Sequence, residues 1–336
     1  LRWFNGETRM PGDQRRSSFY AGHQFGSWAG RLGDGRAISL GEVIGHDGAN
    51  SQRWEIQTKG SGQTPFSRFG DGKAVLRSCV REFLASEALH ALGIPTTRAL
   101  GVIVGKGQVQ RETLEQEAIV IRLLQSNIRF GTFEWFASEN NLDALHTLSE
   151  YVQKTFYPEE KSESAQETPA KGGSALFVFR KAVESSAQLV AHWQAFGFCH
   201  GVLNTDNMSI LGVTMDYGPF GFLEDCNLHH ICNHSDERGR YRFIYQPGIV
   251  HWNLERLRDA LSLITPVTAM NEELKKFFPL FEESYLSLMR ARLGFLETRA
   301  EDKDLIQGLL MQMHENSLDY THTLRSLCNF SHDKIP

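Results

Sequence analysis

The hydrophobic period of this chain is mostly that of strands in its first half and that of helices in its second, and that change limits what it can fold into. Residues 17 to 60 alternate as strands joined by glycine turns, in SFYAGHQFGSWAG, RLGDGRAISLGEVIG and RWEIQTKG. Asp34-Gly35, in LGDGR, predicts a hairpin turn. KAVLRSCVREFLASEALHAL, residues 73 to 92, sets Val75, Leu76, Val80, Phe83, Leu84, Ala88 and Ala91 at helical spacing; Asp71 stands before it as a natural N-cap, and Gly93 and Pro95 end it. GVIVGKGQV and EAIVIRLL return to strands. Beyond residue 174 the pattern is helical, in SALFVFRKAVESSAQLVAHWQAFGF, NLERLRDALSLI, EELKKFFPLFEESYLSLMRARLGFL and KDLIQGLLMQMHENSLDYTHTLRSLCNF. A mixed first part and a helical second part predict an α+β body of two lobes with a cleft between them.

At 336 residues the chain can bury two such cores. Its net charge of −5, with no long basic run, argues against nucleic acid as a partner. No apolar run reaches the roughly 18 to 20 residues of a membrane span. Five cysteines without a CxxC predict free thiols, with one bridge left open. The first residue is Leu1, which reads as a fragment, and no compartment signal is legible. The polar stretch 158–174, PEEKSESAQETPAKGGS, predicts an exposed, mobile insertion.

Two short stretches carry the chemistry. HGVLNTDN, residues 200 to 207, precedes MDYG, residues 215 to 218. Protein kinases place H-R-D-L-x-x-x-N and D-F-G in this order, with the Asp of the first as base; here Val202 takes that place. Asn207 and Asp216 offer the hard oxygen donors that magnesium prefers, the second at the far end of an expected strand pair in MSILGVTMDYG. Asp206 reads equally as a turn former or as a carboxylate able to approach a substrate hydroxyl. His200 is expected to brace backbone. Lys59 at a strand end and Glu82 on the following helix allow an ion pair that aims the lysine at phosphates. Gly33, Gly35 and Arg36 suit either phosphate cover or a plain hairpin. Arg122 lies inside the apolar IVIRLL and Arg129 beside Phe130; a buried guanidinium needs an anion, and polyphosphate is one. Cys226, His229, His230, Cys232 and His234 crowd together but match no common zinc spacing, so a polar loop near the cleft is the expectation.

The stretches YAGHQFGSWAGRLGDGRA, KGSGQTPFSRFGDGKAVLRSCVREFLASEALHALGIPTTRAL, IRFGTFEWF, HGVLNTDNMSILGVTMDYGPFGFLEDC and CNHSDERGRYRFIYQPGIVHWNLERL closely resemble the selenoprotein O family, over about residues 17 to 265. The resemblance implies a protein-kinase-like fold with an N-lobe over 1–136 and a helical C-lobe over 137–336. It implies transfer of AMP, rather than phosphate, from ATP to protein Ser, Thr or Tyr hydroxyls, with the nucleotide turned end for end. Carried over by motif, Asp206 accepts the proton, and Asn207 and Asp216 hold magnesium, or manganese in its place. Lys59, oriented by Glu82, grips phosphates with Arg122 and Arg129, while Gly33, Gly35, Arg36, Asp71, Gly72 and Asp216 line the nucleotide. A monomer is favoured. Family location would be mitochondrial in a eukaryote and cytoplasmic in a bacterium. Two rival readings use the same residues: a phosphotransferase holding ATP in the ordinary direction, and a pseudokinase scaffold that binds nucleotide without chemistry.

Overall fold

The computed structural model describes residues 2–4, 6–9, 13–47, 50–158 and 173–329. The expected insertion at 158–174 therefore lies, apart from its ends, outside the described residues. In chain order come β1 (Phe19–Tyr20), β2 (His23–Gln24), β3 (Ser27–Trp28), β4 (Leu32–Gly33), β5 (Ala37–Asp47), β6 (Asn50–Lys59), β7 (Ala74–Val75), α1 (Leu76–Ala91), β8 (Arg98–Gln110) and β9 (Leu114–Leu124). Then follow α2 (Phe130–Ser138), α3 (Leu142–Phe156), α4 (Gly173–Ala195), β10 (Phe198–Cys199), β11 (Gly221–Phe222), α5 (Gln246–Leu261), α6 (Val267–Leu274), α7 (Phe277–Leu293), α8 (Asp302–Glu315) and α9 (Tyr320–Ser326). A β-rich first part and a helical second part match the period change in the sequence.

β5, β6, β7, β8 and β9 form one antiparallel sheet. β9 is its spine, with β8 along one edge and β6 along the other. β7 pairs with β9 further along that second edge, after the excursion 60–73. Gly60 turns the chain out at φ +96°, where a Cβ would fall 2.4 Å from that of Ala74, so only glycine fits. The Asp34-Gly35 pair does not turn a hairpin. β4 pairs with β1, and the long hairpin joins β5 to β6 from Ala37↔Lys59 to Asp47↔Asn50. Asp34 is buried and hydrogen-bonded through its carboxylate, which keeps it from an exposed turn tip.

α1 lies across this sheet with an unexpected rotation. Its buried face carries Cys79, Glu82, Ala85, Ser86 and Leu89, while Val80 and Leu84 of the apolar stripe are 40% and 61% exposed. The carboxylate of Glu82 is needed by Lys59 and Arg122 behind the helix, and that demand outweighs the loss of two apolar contacts. Asp71 is not the cap of α1 either: β7 intervenes, Val75 stands at the cap, and Asp71 accepts from the Lys73 N–H at 2.9 Å.

In the helical part α4 is the axis, buried along Val178, Ala182, Val183, Val190 and Trp193 and packed by α3, α5, α6 and α7. α2 and α3 were not read from the sequence. The expected single helix over 272–296 is two, α6 and α7, because Pro279 falls in the first turn of α7 and has no N–H to give a preceding turn. MSILGVTMDYG is not a strand pair. Ser209 bridges Arg129 and Thr214 bridges Thr96, one on each side of a turn at Gly212, so the segment is tied across to the β-rich part rather than to itself. Among the described residues no helix is long and apolar enough to cross a membrane.

Candidate active site

Residues 57 and 59 of β6 point to the same side of the sheet by the two-residue period, and Gln57 stands opposite Arg122 of β9. Gln57, Lys59 and Arg122 thus share one face, directly under α1. Lys59 Nζ donates to Glu82 Oε2 at 2.7 Å. Arg122 donates through Nε to the other oxygen of Glu82 and through an Nη to Gln57 Oε1 at 3.1 Å. The same Nη lies 3.1 Å from Asp216 Oδ1. All three charged side chains of this group are nearly sealed from solvent.

The helical part contributes from the other side. Backbone bonds from Phe130 to Met208 and from Ile210 to Ile128, both donated through N–H, clamp residues 128–130 to 208–210. The N–H of Ala21 donates to Gly131, where a side chain could not fit. That double clamp buries Arg129 between three aspartates. One Nη donates to Asp216 Oδ2 and to the Asp206 carbonyl, and the other reaches Asp34 Oδ1 at 3.4 Å and Asn127 Oδ1 at 3.1 Å. The guanidinium lies 4.6 Å from the Tyr20 ring centroid. Asp216 itself takes φ +56°, a left-handed backbone that aspartate tolerates better than most residues.

Thr205–Asn207 form one turn of 3₁₀ helix beside this cluster. Asp206 is 6% exposed. Its Oδ2 accepts from Gln24 Nε2 at 3.0 Å, while its Oδ1 is buried with no hydrogen-bond partner. Asn207 donates its amide N–H to the Val202 carbonyl at 3.0 Å, which turns its side chain within the loop. His200 lies 2.9 Å through Nε2 from the Met215 carbonyl and takes the Val202 N–H on Nδ1, contacts that tie the two loops to each other.

Burial and charge act on these groups in opposite senses. Burial pushes the Asp206 carboxyl up to about 6, only partly countered by Gln24 and Arg129. Burial would raise Asp216 too, but Arg129, Arg122 and Lys59 together hold it well below the usual carboxylate range. Glu82 is also drawn down, since Arg122 and Lys59 outweigh its burial. Lys59 is lowered by burial and by the Arg122 charge. His200 is lowered by burial and is neutral at pH 7. Two aspartates ten residues apart are thus held differently: Asp216 is kept below the usual carboxylate range by its cations, and Asp206 is raised above it by burial.

The geometry is matched by relationship. The family model described as protein adenylyltransferase SelO matches residues 5–335. The chain belongs to the SelO family. A protein nucleotidyltransferase YdiU of Bordetella petrii is 50% identical over 330 residues, covering 98% of this chain and 66% of that protein. The like-named protein of Pseudomonas putida (strain W619) is 48% identical over 324 residues, 96% of this chain and 64% of its own length. The same name belongs to a Bordetella avium protein, 48% identical over 324 residues with the same coverage. The chain spans just under two thirds of the length of these bacterial relatives.

Of the positions expected in the site, the structure gathers Lys59, Glu82, Arg122, Arg129, Asp206, Asn207, Asp216 and His200 in one region. Of these, Lys59 and Glu82 line a cavity of about 450 Å³ together with Arg36, Arg81, Cys232 and His234. Gly33 and Gly35 do not present an open face there: a Cβ on Gly33 would meet the Phe66 ring at 2.4 Å, and one on Gly35 the Phe66 carbonyl at 2.9 Å. Asp71 is exposed and bound by Arg111 through two bonds of 2.9 Å, and Gly72 packs on Gly62. Sequence reasoning missed Tyr20, Gln24, Asp34, Gln57 and Asn127. Only Asp34 carried a signal, and its Asp-Gly pair pointed to a turn.

Proposed function

We propose that this chain transfers AMP from ATP to Ser, Thr or Tyr hydroxyls of proteins, releasing pyrophosphate, within a protein-kinase-like pair of lobes over 1–136 and 137–336. The observation that carries the reading is the buried, unpartnered Oδ1 of Asp206 beside a cluster holding Lys59, Arg122 and Arg129. An acceptor hydroxyl gives its proton to Asp206 Oδ1, its oxygen bonds to the α-phosphorus, and the bond from that phosphorus to the bridging oxygen of the β-phosphate breaks. Lys59, aimed by Glu82, and the two arginines meet the phosphate charge, and Arg36, on the same cavity as Lys59, extends that grip. Gly33, Gly35, Asp71 and Gly72 belong to the nucleotide's side of the proposal by family motif alone. With ATP turned end for end, the base stands at Asp206, four residues after Val202, which explains why an aliphatic residue is tolerated there.

The donor set fits magnesium. That ion binds through one or two protein oxygens and keeps water and phosphate oxygens for the rest, and Asn207 and Asp216 supply an amide oxygen and a permanent carboxylate. Among the described residues no group of three or more His, Cys, Asp or Glu could hold a metal ion. Bound there, the metal would neutralise charge on the transferred phosphate.

Incubation with ATP labelled at the α- or at the γ-phosphate tests the reading. Label on protein from the α-position and none from the γ-position is expected. The reverse result would make the chain a phosphotransferase, and no label from either would leave a nucleotide-binding scaffold.

A further inference from the structure

Asp34 lies on the side of the buried cluster away from Glu82, and its bonds close that cluster into a ring. Gln57 Nε2 donates to Asp34 Oδ2 at 3.2 Å, and Gln57 Oε1 accepts from Arg122. Arg122 and Arg129 each hold one oxygen of Asp216, and Arg129 returns to Asp34 Oδ1. Asn127 Nδ2 donates to Asp34 Oδ2 at 3.1 Å and Tyr20 Oη to Asp34 Oδ1 at 3.1 Å. Every acceptor position of this buried carboxylate thus faces a donor, two of them amides whose other ends fix the arginines.

The charges of the ring and its flank balance: Lys59, Arg122 and Arg129 against Glu82, Asp216 and Asp34. Asp216 is the member that the proposed metal would share. Were phosphates and metal to compete for it, the arginines would keep only the partners that do not change hands. For Arg122 these are Glu82 and Gln57; for Arg129 they are Asp34, Asn127 and the Asp206 carbonyl.

We infer that Asp34 is a positioning residue for the phosphate subsite, holding Arg129 directly and Arg122 through Gln57 so that both guanidiniums stay aimed when Asp216 lets them go. The inference rests on the nucleotide reading above. Asp34 touches no substrate. Its carboxylate, not merely its shape, is required, because an amide would set an N–H₂ group against either Gln57 and Asn127 or Arg129 and Tyr20.

The test is titration calorimetry on the whole chain, with magnesium and either ATP or adenosine. Asp34→Asn is expected to lower ATP affinity about ten-fold or more, the scale of a lost charge-assisted bond, while adenosine affinity changes less than about two-fold. The pair Asp34→Asn with Gln57→Glu returns a carboxylate to the ring and is expected to recover part of the ATP affinity. Equal loss for ATP and adenosine, or unchanged ATP affinity in a variant that melts like the parent, would overturn the inference. Should Asp34→Asn not yield folded protein, Gln57→Met carries the test, and ATP affinity equal to the parent's would overturn it. Binding is read separately from transfer: a parent chain that holds ATP but moves no label sinks the proposed activity, while these titrations still decide the role of Asp34.

Discussion

Asp71 and Asp216 are both aspartates held by arginine, and the two sites differ chiefly in water. Asp71 meets Arg111 through two bonds of 2.9 Å at the surface, and that contact draws its carboxyl down to about 2. Asp216 meets two buried arginines with only 19% of its own side chain exposed, and its charge is fixed far more firmly. At the surface, water replaces either partner, so such a pair contributes about 0 to 1 kcal/mol. Inside, each charge exists only because the others do, and only another anion can stand in for one of them. The same pairing chemistry therefore makes a brace outside and, inside, a charge cluster suited to the phosphate grip proposed for it.

The largest expected break in this contrast is Asp216→Ala. It removes the proposed metal ligand and leaves two buried guanidiniums short of an anion, so transfer should fall to background and stability by about 3 to 5 kcal/mol, read by α-label incorporation and by denaturant titration. A smaller loss inside than outside would contradict the contrast.

Next is pH. The Asp206 carboxyl sits at about 6 in the folded chain against an ordinary 3.8, so transfer should rise through pH 6 and level off above it. The folded state keeps a proton that the unfolded state gives up. That contribution to stability is whole below about pH 4 and lost as pH rises through 6. Asp206→Asn should therefore be more stable than the parent at pH 7.5, by about 1 to 3 kcal/mol, and the difference should vanish in acid. The smallest expected effect is on the surface: Asp71→Ala should shift stability by less than about 1 kcal/mol, and salt should shrink even that.

Much of this was legible before any coordinates. An arginine within IVIRLL had to find a buried anion, and Lys59 and Glu82 were placed to pair. The identity of the anion was not legible, because Glu82 and Asp216 lie 40 and 94 residues from Arg122 and no local period links them. The rotation of α1 was misread for a related reason: the apolar positions Val80 and Leu84 suggested the buried face, while the charge requirement under the helix chose Glu82. Asp34-Gly35 has the sequence of a turn, and only the partners from β1, β6 and the segment after β9 make Asp34 an interior group. Gln24 could not have been found by spacing, since it reaches Asp206 across 182 residues.

The central claim is a division of labour between the charge cluster that holds phosphates and the bare oxygen that takes the proton. Asp206→Asn tests it most directly, with ATP affinity and α-label transfer measured on the same preparation. The account predicts ATP affinity within about two-fold of the parent and transfer reduced by the 10²- to 10⁴-fold typical of a lost general base. Transfer retained at the parent rate, or lost only in step with ATP binding, would contradict it.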